Sequence, residues 1–552
     1  MNGTFFVVLL ASLMWAEAAP VGSVRMALPP QATPSIRNTA RIFERQVTQR
    51  CGGKVTTSGG SALTIELSIE PGFGVEGFRI VDGPSGIIRV IGNDERGLLY
   101  GVGKLLRASR FGQGGFTPGS WRGQSVPQGQ FRAVYLASHF RNFYEAAPPA
   151  EAQEYLEDLA LWGFNTVIVH FPQFQFQDFN DPVARRLLDQ LRGLFRAAKA
   201  AGMDVGLVEA SNQGFASTPK DFLAQPVPDG WGRRGSLGVN LCPAKPPARQ
   251  LLLQNWAMLV DQFSDAGIDC VVSWPYDEGG CGCSNCWPWG VRGHVQLSKE
   301  ISQLARRKYP RCRFVLSTWV YDSPPAGEWT GLAKVLANDH AWVDYLMADA
   351  HEDYPRYPLD NPVPGGLPLL NFPEISMWGR SPWGGFGATP LPARFQRLWN
   401  QVKDRVRGGM PYSEGIYEDI NKVICGQFYW DKDCAALDTV REYIAFEFSP
   451  DVVEDVVTAI NLLEETHTKL SQKSAKARDR LQRAEARLTL QARKSWRWRI
   501  LYLRSVVDAE RYTNGEAGSK PNPVLKQAFE ELTSIQHADH ALQRPPQLPQ
   551  GK

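Results

Sequence analysis

The chain lacks several things that would have placed it quickly. No apolar stretch in its 552 residues reaches the roughly 18 that a bilayer span needs. No sign of charge dominates. Sixty Lys and Arg stand against 57 Asp and Glu, a net +3, too balanced for nucleic acid to be the main partner. There is no P-loop and no H-E-x-x-H helix. The nearest approach to a G-x-S-x-G elbow, Pro411 to Gly415, lacks its first glycine. One G-x-G-x-x-G, Gly72 to Gly77, precedes a predicted strand and opens no helix, so it is not a dinucleotide fingerprint. What the chain has is a globular composition, with 11% aromatics and only 21% charged residues. Seventeen Trp and 51 Gly are a surplus that asks for a location.

The N-terminus reads as a leader. The apolar run Phe5 to Trp15 is too short to span and ends at Ala16-Glu17-Ala18, a small-residue cleavage pattern. Its n-region carries no Lys or Arg. Residues 1–18 are therefore expected to be a signal peptide, and the protein to be secreted or periplasmic. Export would put nine cysteines in an oxidising compartment, where simple pairing leaves one over. No N-x-Ser/Thr sequon follows the leader.

Residues 24–127 predict a small α+β domain. A helix-like segment, Ile36 to Gln49, precedes ALTIELSIEP, GFRIVDG and GIIRVIG. The last two alternate apolar and polar residues like half-buried antiparallel strands, with a D-G-P-S-G turn between them. In GNDERGLLYGVGKLLR, Asn93 or Asp94 can cap a helix whose apolar residues share one face. A Gly/Pro/Ser-rich linker follows, from about Gly112 to Gln128.

From 131 to 434 strand-like and helix-like segments alternate eight times. The strands are short, apolar and rich in β-branched residues, as buried parallel strands are. Several helices stop at a glycine (Gly163, Gly202, Gly267). Eight βα units in about 300 residues describe a (β/α)8 TIM barrel, with a doubly wound open sheet as the competitor. Residues 435–540 are helical only, and 541–552 read as a loose tail. Lys469 to Arg504 holds twelve Lys/Arg, read as a solvated helix face rather than a polyanion site. The fold expected is α/β: an N-terminal α+β accessory domain, a TIM barrel and a C-terminal helical region.

A βα barrel carries its site at the C-terminal ends of the strands. That rule selects His139 and Asn142 after strand 1, His170 after strand 2 and Glu209 on strand 3. It selects Tyr276, Asp277 and Glu278 after strand 4, and Trp319 and Asp322 after strand 5. Glu374 and Trp378 follow strand 7, and Tyr412 and Glu414 belong to strand 8. Carboxylates mixed with Trp and Tyr suit a sugar: acids and hydroxyl acceptors beside flat apolar faces. The two histidines read equally as hydroxyl ligands or as core residues. Adjacent Asp277 and Glu278 favour a proton donor beside a charged partner, since like charges raise one pKa. The same segment holds Cys281, Cys283 and Cys286, which Cys242 could join from the neighbouring loop. Four thiolates would suit a structural zinc; disulfides and free thiols are the alternatives. Cys425 and Cys434 could pair. Cys270 and Cys312 read as core.

GNDERGLLYGVGKLLR resembles the accessory domain that precedes the barrel in family 20 β-N-acetylhexosaminidases and α-glucuronidases, over about a hundred residues. The layout of the chain is similar as well. In family 20 an Asp-Glu pair ends strand 4. The resemblance implies Glu278 as general acid and Asp277 as the group orienting the substrate's 2-acetamido nucleophile. It also implies Trp378 or Trp319 as pocket walls and Glu414 as a hydroxyl contact. The family's H-x-G-G-D-E approach is here Ser273-Trp-Pro-Tyr-Asp-Glu278, and the cysteines are foreign to that pattern. The expectation is a glycoside hydrolase acting on N-acetylhexosamine-containing glycans, with no cofactor in catalysis, no nucleic acid and no membrane span. The alternatives are an α-glucuronidase-like or other exo-glycosidase using two carboxylates, and a non-catalytic glycan-binding barrel.

Overall fold

A computed structural model describes residues 20–139, 142–228, 238–277, 279–323, 325–350, 352–376, 388–514 and 522–537. The proposed leader, Glu278, Trp378 and the tail at 541–552 lie outside the described residues.

The N-terminal region forms β1 (Ser23–Ala27), α1 (Pro34–Cys51), β2 (Lys54–Thr56), β3 (Leu63–Ile69), β4 (Phe78–Asp82), β5 (Ile87–Gly92) and α2 (Glu95–Arg107). Short strands β6 (Arg110–Gly112), β7 (Gly115–Thr117) and β8 (Gly123–Ser125) follow. Six strands make one mixed sheet, ordered β2-β1-β3-β5-β4-β8. The two alternating segments pair antiparallel as their pattern predicts, with Ile80 opposite Val90. Of the two expected caps it is Asp94 that accepts from the Gly97 amide, and Leu98, Leu99, Val102, Leu105 and Leu106 are all buried. The segment expected to be a plain linker instead adds β8 to the sheet edge beside β4.

The barrel strands are β9 (Phe131–Leu136), β10 (Thr166–Val169), β11 (Asp204–Ala210), β12 (Cys270–Trp274), β13 (Arg313–Ser317), β14 (Tyr345–Ala350), β15 (Leu369–Pro373) and β16 (Val406–Gly409), with β17 (Tyr412–Ser413) beyond it. All pair parallel in sequence order, and β9 closes the ring on both β10 and β16. A TIM barrel is therefore present, and the open-sheet alternative falls. Between and after the strands run α3 (Phe143–Ala146), α4 (Pro149–Leu161), α5 (Pro182–Ala200), α6 (Pro246–Gln262), α7 (Gly293–Lys308), α8 (Glu328–Leu336), α9 (Arg356–Asp360), α10 (Pro392–Val402) and α11 (Asp419–Trp430). Gly163, Gly202 and Gly267 each adopt the left-handed conformation that stops a helix.

The eighth strand departs from expectation. The helical pattern ran to Gly408, but α10 ends at Val402 and Val406–Gly409 is strand. Pro411 has no N–H to extend the ladder, so pairing lapses before Tyr412 and Ser413 rejoin β9. Gly408 lies at φ 124, where a Cβ would strike the Phe131 carbonyl. The strand expected at Gly409 to Gly415 thus starts three residues early, at Val406, where Arg407 and Gly408 hid it in the helical pattern.

The C-terminal region is helical as expected: α12 (Ala436–Glu447), α13 (Val453–Glu465), α14 (Gln472–Glu485), α15 (Leu490–Lys494), α16 (Trp496–Asn514) and α17 (Pro523–Ile535). Its basic residues are largely spent on neighbours. Arg480 and Arg487 pair with Asp455, Arg499 with Glu531, and buried Arg497 with Asp158 and Asp419. No helix of the described residues is long and apolar enough to cross a membrane.

Candidate active site at the barrel mouth

Strand periodicity decides what the mouth contains. One inner core is built from alternate residues: Phe131, Ala133, Tyr135 and Ala137; Ile168; Val208; Cys270 and Val272; Val315; Met347; Leu370 and Phe372; and Met410. Continuing each strand in the same phase puts His139, His170, Trp274, Trp319, Asp349, Glu374, Tyr412 and Glu414 at the top of the barrel interior.

Aromatic rings floor this mouth. Trp274 and Trp319 lie 5.2 Å apart between centroids, and Phe372 packs at 5.0 Å on Trp274 and 5.8 Å on Trp319. Tyr412 joins Phe372 at 5.9 Å. The Trp319 indole N–H is buried and has no hydrogen-bond partner among the described residues. Phe372 was missed by sequence reading; its signal was its place two residues before Glu374, in the same phase.

Carboxylates stand on one side. Glu374 and Glu414 are both buried, on neighbouring strands joined by a Glu374–Tyr412 bridge. The Tyr412 hydroxyl donates to Glu414 Oε1 at 3.0 Å. Burial, then the charges of Glu414, Tyr135 and Glu374, push the Tyr412 hydroxyl well above the usual tyrosine range, so it remains a donor. The Ser376 hydroxyl accepts from the Glu414 amide at 3.1 Å. On the next two strands round the ring, β9 and β10, His139 and His170 meet edge to face at 4.7 Å.

The strand-4 end departs from β geometry where the chemistry is expected. β12 stops at Trp274, and Asp277 takes φ 69, a left-handed backbone that a non-glycine residue adopts at a cost. The strict alternation that would send Asp277 and Glu278 to opposite faces therefore does not apply. Asp277 is half-buried. Glu278 and Trp378 fall outside the described residues.

Four residues expected to touch substrate are placed elsewhere. Tyr276 is fully buried under the loop, its hydroxyl donating to Glu328 Oε1 at 2.5 Å and accepting from the Gly290 amide at 3.2 Å. Glu328, at the start of α8, thus anchors the strand-4 loop. Asn142 caps α3 and donates to the carbonyls of Ala137 at 2.6 Å and Glu414 at 2.7 Å, so its donors are spent on backbone. Glu209 is out of phase with the inner core. Its Oε1 accepts from the Phe171 amide at 2.7 Å and its Oε2 lies 3.1 Å from His170 Nδ1, so it braces His170 rather than lining the mouth. Asp322 turns toward Trp329 and the Arg356 amide. Strand-end rules find the end of a strand but not which face a residue takes after it.

The cysteine cluster assembles as anticipated. The sulfurs of Cys242, Cys281, Cys283 and Cys286 all lie within 4.8 Å of one another, and none of the nine cysteines is in a disulfide. The expected Cys425–Cys434 pair does not form: Cys425 is buried in α11 while Cys434 meets the Thr439 hydroxyl at 3.3 Å. Cys270 and Cys312 are core, as expected. Hydrogen bonding from Cys286, then from backbone amides against the effect of burial, pulls Cys281 down to about 5, while burial pushes Cys242 up to about 11. This set of four cysteines, three buried and Cys283 half-buried, could hold a metal.

A second cavity of about 490 Å³ lies on the barrel flank, between α1, α4 and the C-terminal helices. Its charged walls, including Arg45, Arg50, Asp158 and Arg497, are engaged with one another in ion pairs. It reaches Phe143 and Ile416 in the loops after the first and eighth strands, from the outer side of the barrel.

No family model matches this sequence, and no curated protein does. Solved structures do. A family 115 4-O-methyl-α-glucuronidase with specificity for decorated arabinogalactans superposes with TM-score 0.60 at 10% identity, covering 97% of this chain and 78% of that one. A family 138 enzyme targeting pectin rhamnogalacturonan II gives 0.60 at 10%, with 93% and 88% covered. The family 20 exo-β-N-acetylglucosaminidase of Vibrio harveyi gives 0.52 at 10%, with 78% and 75% covered. The chain thus has a glycoside hydrolase-like fold, resembling families 20 and 115 over most of its length. Within that class, identities this low establish the fold alone.

Proposed function

We propose that this protein is an exported glycoside hydrolase that cleaves N-acetylhexosamine-containing glycans. One observation carries the reading. An aromatic floor of Trp274, Trp319 and Phe372, whose Trp319 indole N–H has no partner among the described residues, shares the barrel mouth with the buried carboxylates Glu374 and Glu414. A sugar ring offers that site both an apolar C–H face and hydroxyls to donate and accept. In the reaction Glu278 protonates the leaving oxygen. Asp277 orients the acetamido group, whose oxygen attacks the anomeric carbon, and water opens the resulting oxazoline with Glu278 as base. The configuration is retained and no cofactor enters the chemistry.

Electrostatics favours a neutral sugar. Asp349, Glu374 and Glu414 are acidic, and none of the inward positions named above is Lys or Arg. A uronic acid placed among them would meet like charge.

A second reading rests on the whole-chain likeness. The glucuronidase and the pectin-targeting enzyme match the C-terminal helices too, whereas the family 20 likeness covers 78% of the chain. Under that reading two carboxylates act as acid and base, and Arg141 or Arg380, outside the described residues, binds the uronate. Hydrolysis of aryl glycosides with and without the 2-acetamido group, and of aryl uronides, separates the two. Cleavage that requires the acetamido group supports the first reading; cleavage of uronides alone overturns it. Binding without cleavage of any glycoside leaves a glycan-binding barrel.

A further inference from the structure

We infer that Cys242, Cys281, Cys283 and Cys286 bind one Zn²⁺ as a closed tetrathiolate site, which ties the third βα loop to the fourth and so fixes the backbone at Asp277. The sulfur geometry fits. A zinc–sulfur bond of about 2.3 Å sets the edges of a ligand tetrahedron at about 3.8 Å. The Cys242 and Cys283 sulfurs are 3.6 Å apart, and all four fall within 4.8 Å. A disulfide would need about 2.05 Å.

Hydrogen bonds within the protein brace the two loops that carry these ligands. Asn212, fully buried after β11, donates to the carbonyls of Leu241 and Gly280, each at 2.9 Å, and accepts from the Gly280 amide at 3.1 Å. Leu241 and Gly280 each immediately precede a cysteine of the set, Cys242 and Cys281. One side chain therefore sets two ligands from different loops side by side. The Cys242 amide is held by the Phe222 carbonyl, and the Gly282 amide by that of Gln225, both at 2.9 Å. A Cβ at Gly282 would strike the Pro226 carbonyl, so only glycine lets the two loops close this tightly. Four protein thiolates fill a tetrahedral shell and would leave no position for substrate or water, which marks a structural rather than catalytic site. Hydrolysis asks for no redox change, so zinc rather than iron is the metal assigned to the four thiolates.

Metal binding itself stands on the thiols alone, and the choice of zinc over iron rests on the hydrolytic reading. The metal's consequence for catalysis rests on the glycosidase reading, through the three residues that separate Asp277 from Cys281. The test is elemental analysis of the full-length protein. One zinc per chain is expected, lost in Cys242→Ser and Cys281→Ser and retained in Cys434→Ser. Growth on cobalt keeps the question open to an answer if those variants fail to fold: the wild-type protein should then show the visible absorption of tetrahedral cobalt bound by thiolates. A metal-free protein whose four thiols are disulfide-bonded or alkylate freely in the native state overturns the proposal, as does iron in place of zinc. For the positioning role, stripping the metal should speed limited proteolysis within residues 279–292 and lower kcat about 100-fold, the scale of a displacement near 1 Å. Unchanged cleavage and unchanged kcat after stripping would refute that role while leaving the metal assignment in place. A zinc-loaded protein inactive on every glycoside would refute the glycosidase reading instead.

Discussion

The join between accessory domain and barrel supports the most quantitative prediction. Arg132, the second residue of β9, is fully buried at the base of the barrel. Its guanidinium donates to Gly163 O at 2.7 Å, to Gly129 O at 2.8 Å and to Glu76 Oε2 at 2.5 Å. Glu76, ahead of β4, supplies the charge that neutralises it. Burial would raise the Glu76 carboxyl, but Arg132 and Arg96 outweigh it and hold the group below the usual carboxylate range. Glu76→Gln keeps the shape and one hydrogen bond but leaves a buried cation uncompensated, at a cost of about 3–5 kcal/mol. Arg132→Met in the same chain removes that orphaned charge and should recover more than half of the loss. Urea unfolding followed by tryptophan fluorescence measures both, since Trp430 packs within 5.2 Å of the Arg132 guanidinium. The sign with pH follows. A depressed folded pKa gives stability that is complete above the ordinary glutamate value of about 4.3 and is lost as pH falls through the lower folded value. The wild type should therefore lose its advantage over Glu76→Gln in acid. A variant within about 0.5 kcal/mol of wild type at pH 7, or a gap that widens in acid, refutes the argument. Turnover by the folded variant should be unchanged, because the pair lies at the end of the barrel opposite the mouth.

At the mouth, Glu278→Gln should abolish turnover with the far-ultraviolet circular dichroism intact; full retained activity sinks the acid assignment. Tyr412→Phe removes the donor to Glu414 and should cost about 1–2 kcal/mol, read mainly as a KM raised 5- to 30-fold. An unchanged KM would remove Glu414 from substrate binding. Glu209→Gln should perturb the orientation of His170, seen as a changed imidazole resonance and pH profile; identical titration curves would leave Glu209 a packing residue. Gln536→Ala should weaken the loop after the eighth strand, since Gln536 accepts from the Ile416 amide at 3.2 Å. The expected cost is about 1–2 kcal/mol, together with faster amide exchange at Ile416, and unaltered exchange would count against it.

The legible parts of this protein are those where one physical pattern decides. Continuous apolar runs marked seven of the barrel strands because a strand covered on both faces must be apolar throughout, and glycines at 163, 202 and 267 marked helix ends because glycine takes that backbone cheaply. The eighth strand, expected at Gly409 to Gly415, begins at Val406, because VRG carries no such pattern and continued the helical one before it. Among site residues, His139, Glu374 and Glu414 followed from strand phase. Tyr276, Asn142 and Glu209 did not, because the chain leaves β geometry at the strand ends and local hydrogen bonds then choose the direction of each side chain. The cysteine cluster was legible as a set since C-x-C-x2-C is local. The partner Cys242 was reachable only through the barrel rule that neighbouring strands share a mouth.

The same mouth explains why a barrel here carries so much appended chain. The loops after the third, fourth and eighth strands are each held by groups outside the barrel sheet itself. Glu328 of α8 grips the strand-4 loop through Tyr276 and Gly290. Asn212 joins the third loop to the fourth. The loop after the eighth strand is held by the last described helix, through the Tyr417 hydroxyl on Leu532 O at 2.6 Å and through Gln536, which occupies the space a Cβ on Gly415 would need. Glu414 sits directly beside that contact, so a helix more than a hundred residues away in sequence sets the backbone of a mouth carboxylate. A catalytic group needs its position held to fractions of an ångström, and a two-residue strand such as β17 cannot provide that alone. The C-terminal helices are thus part of the construction of the candidate site.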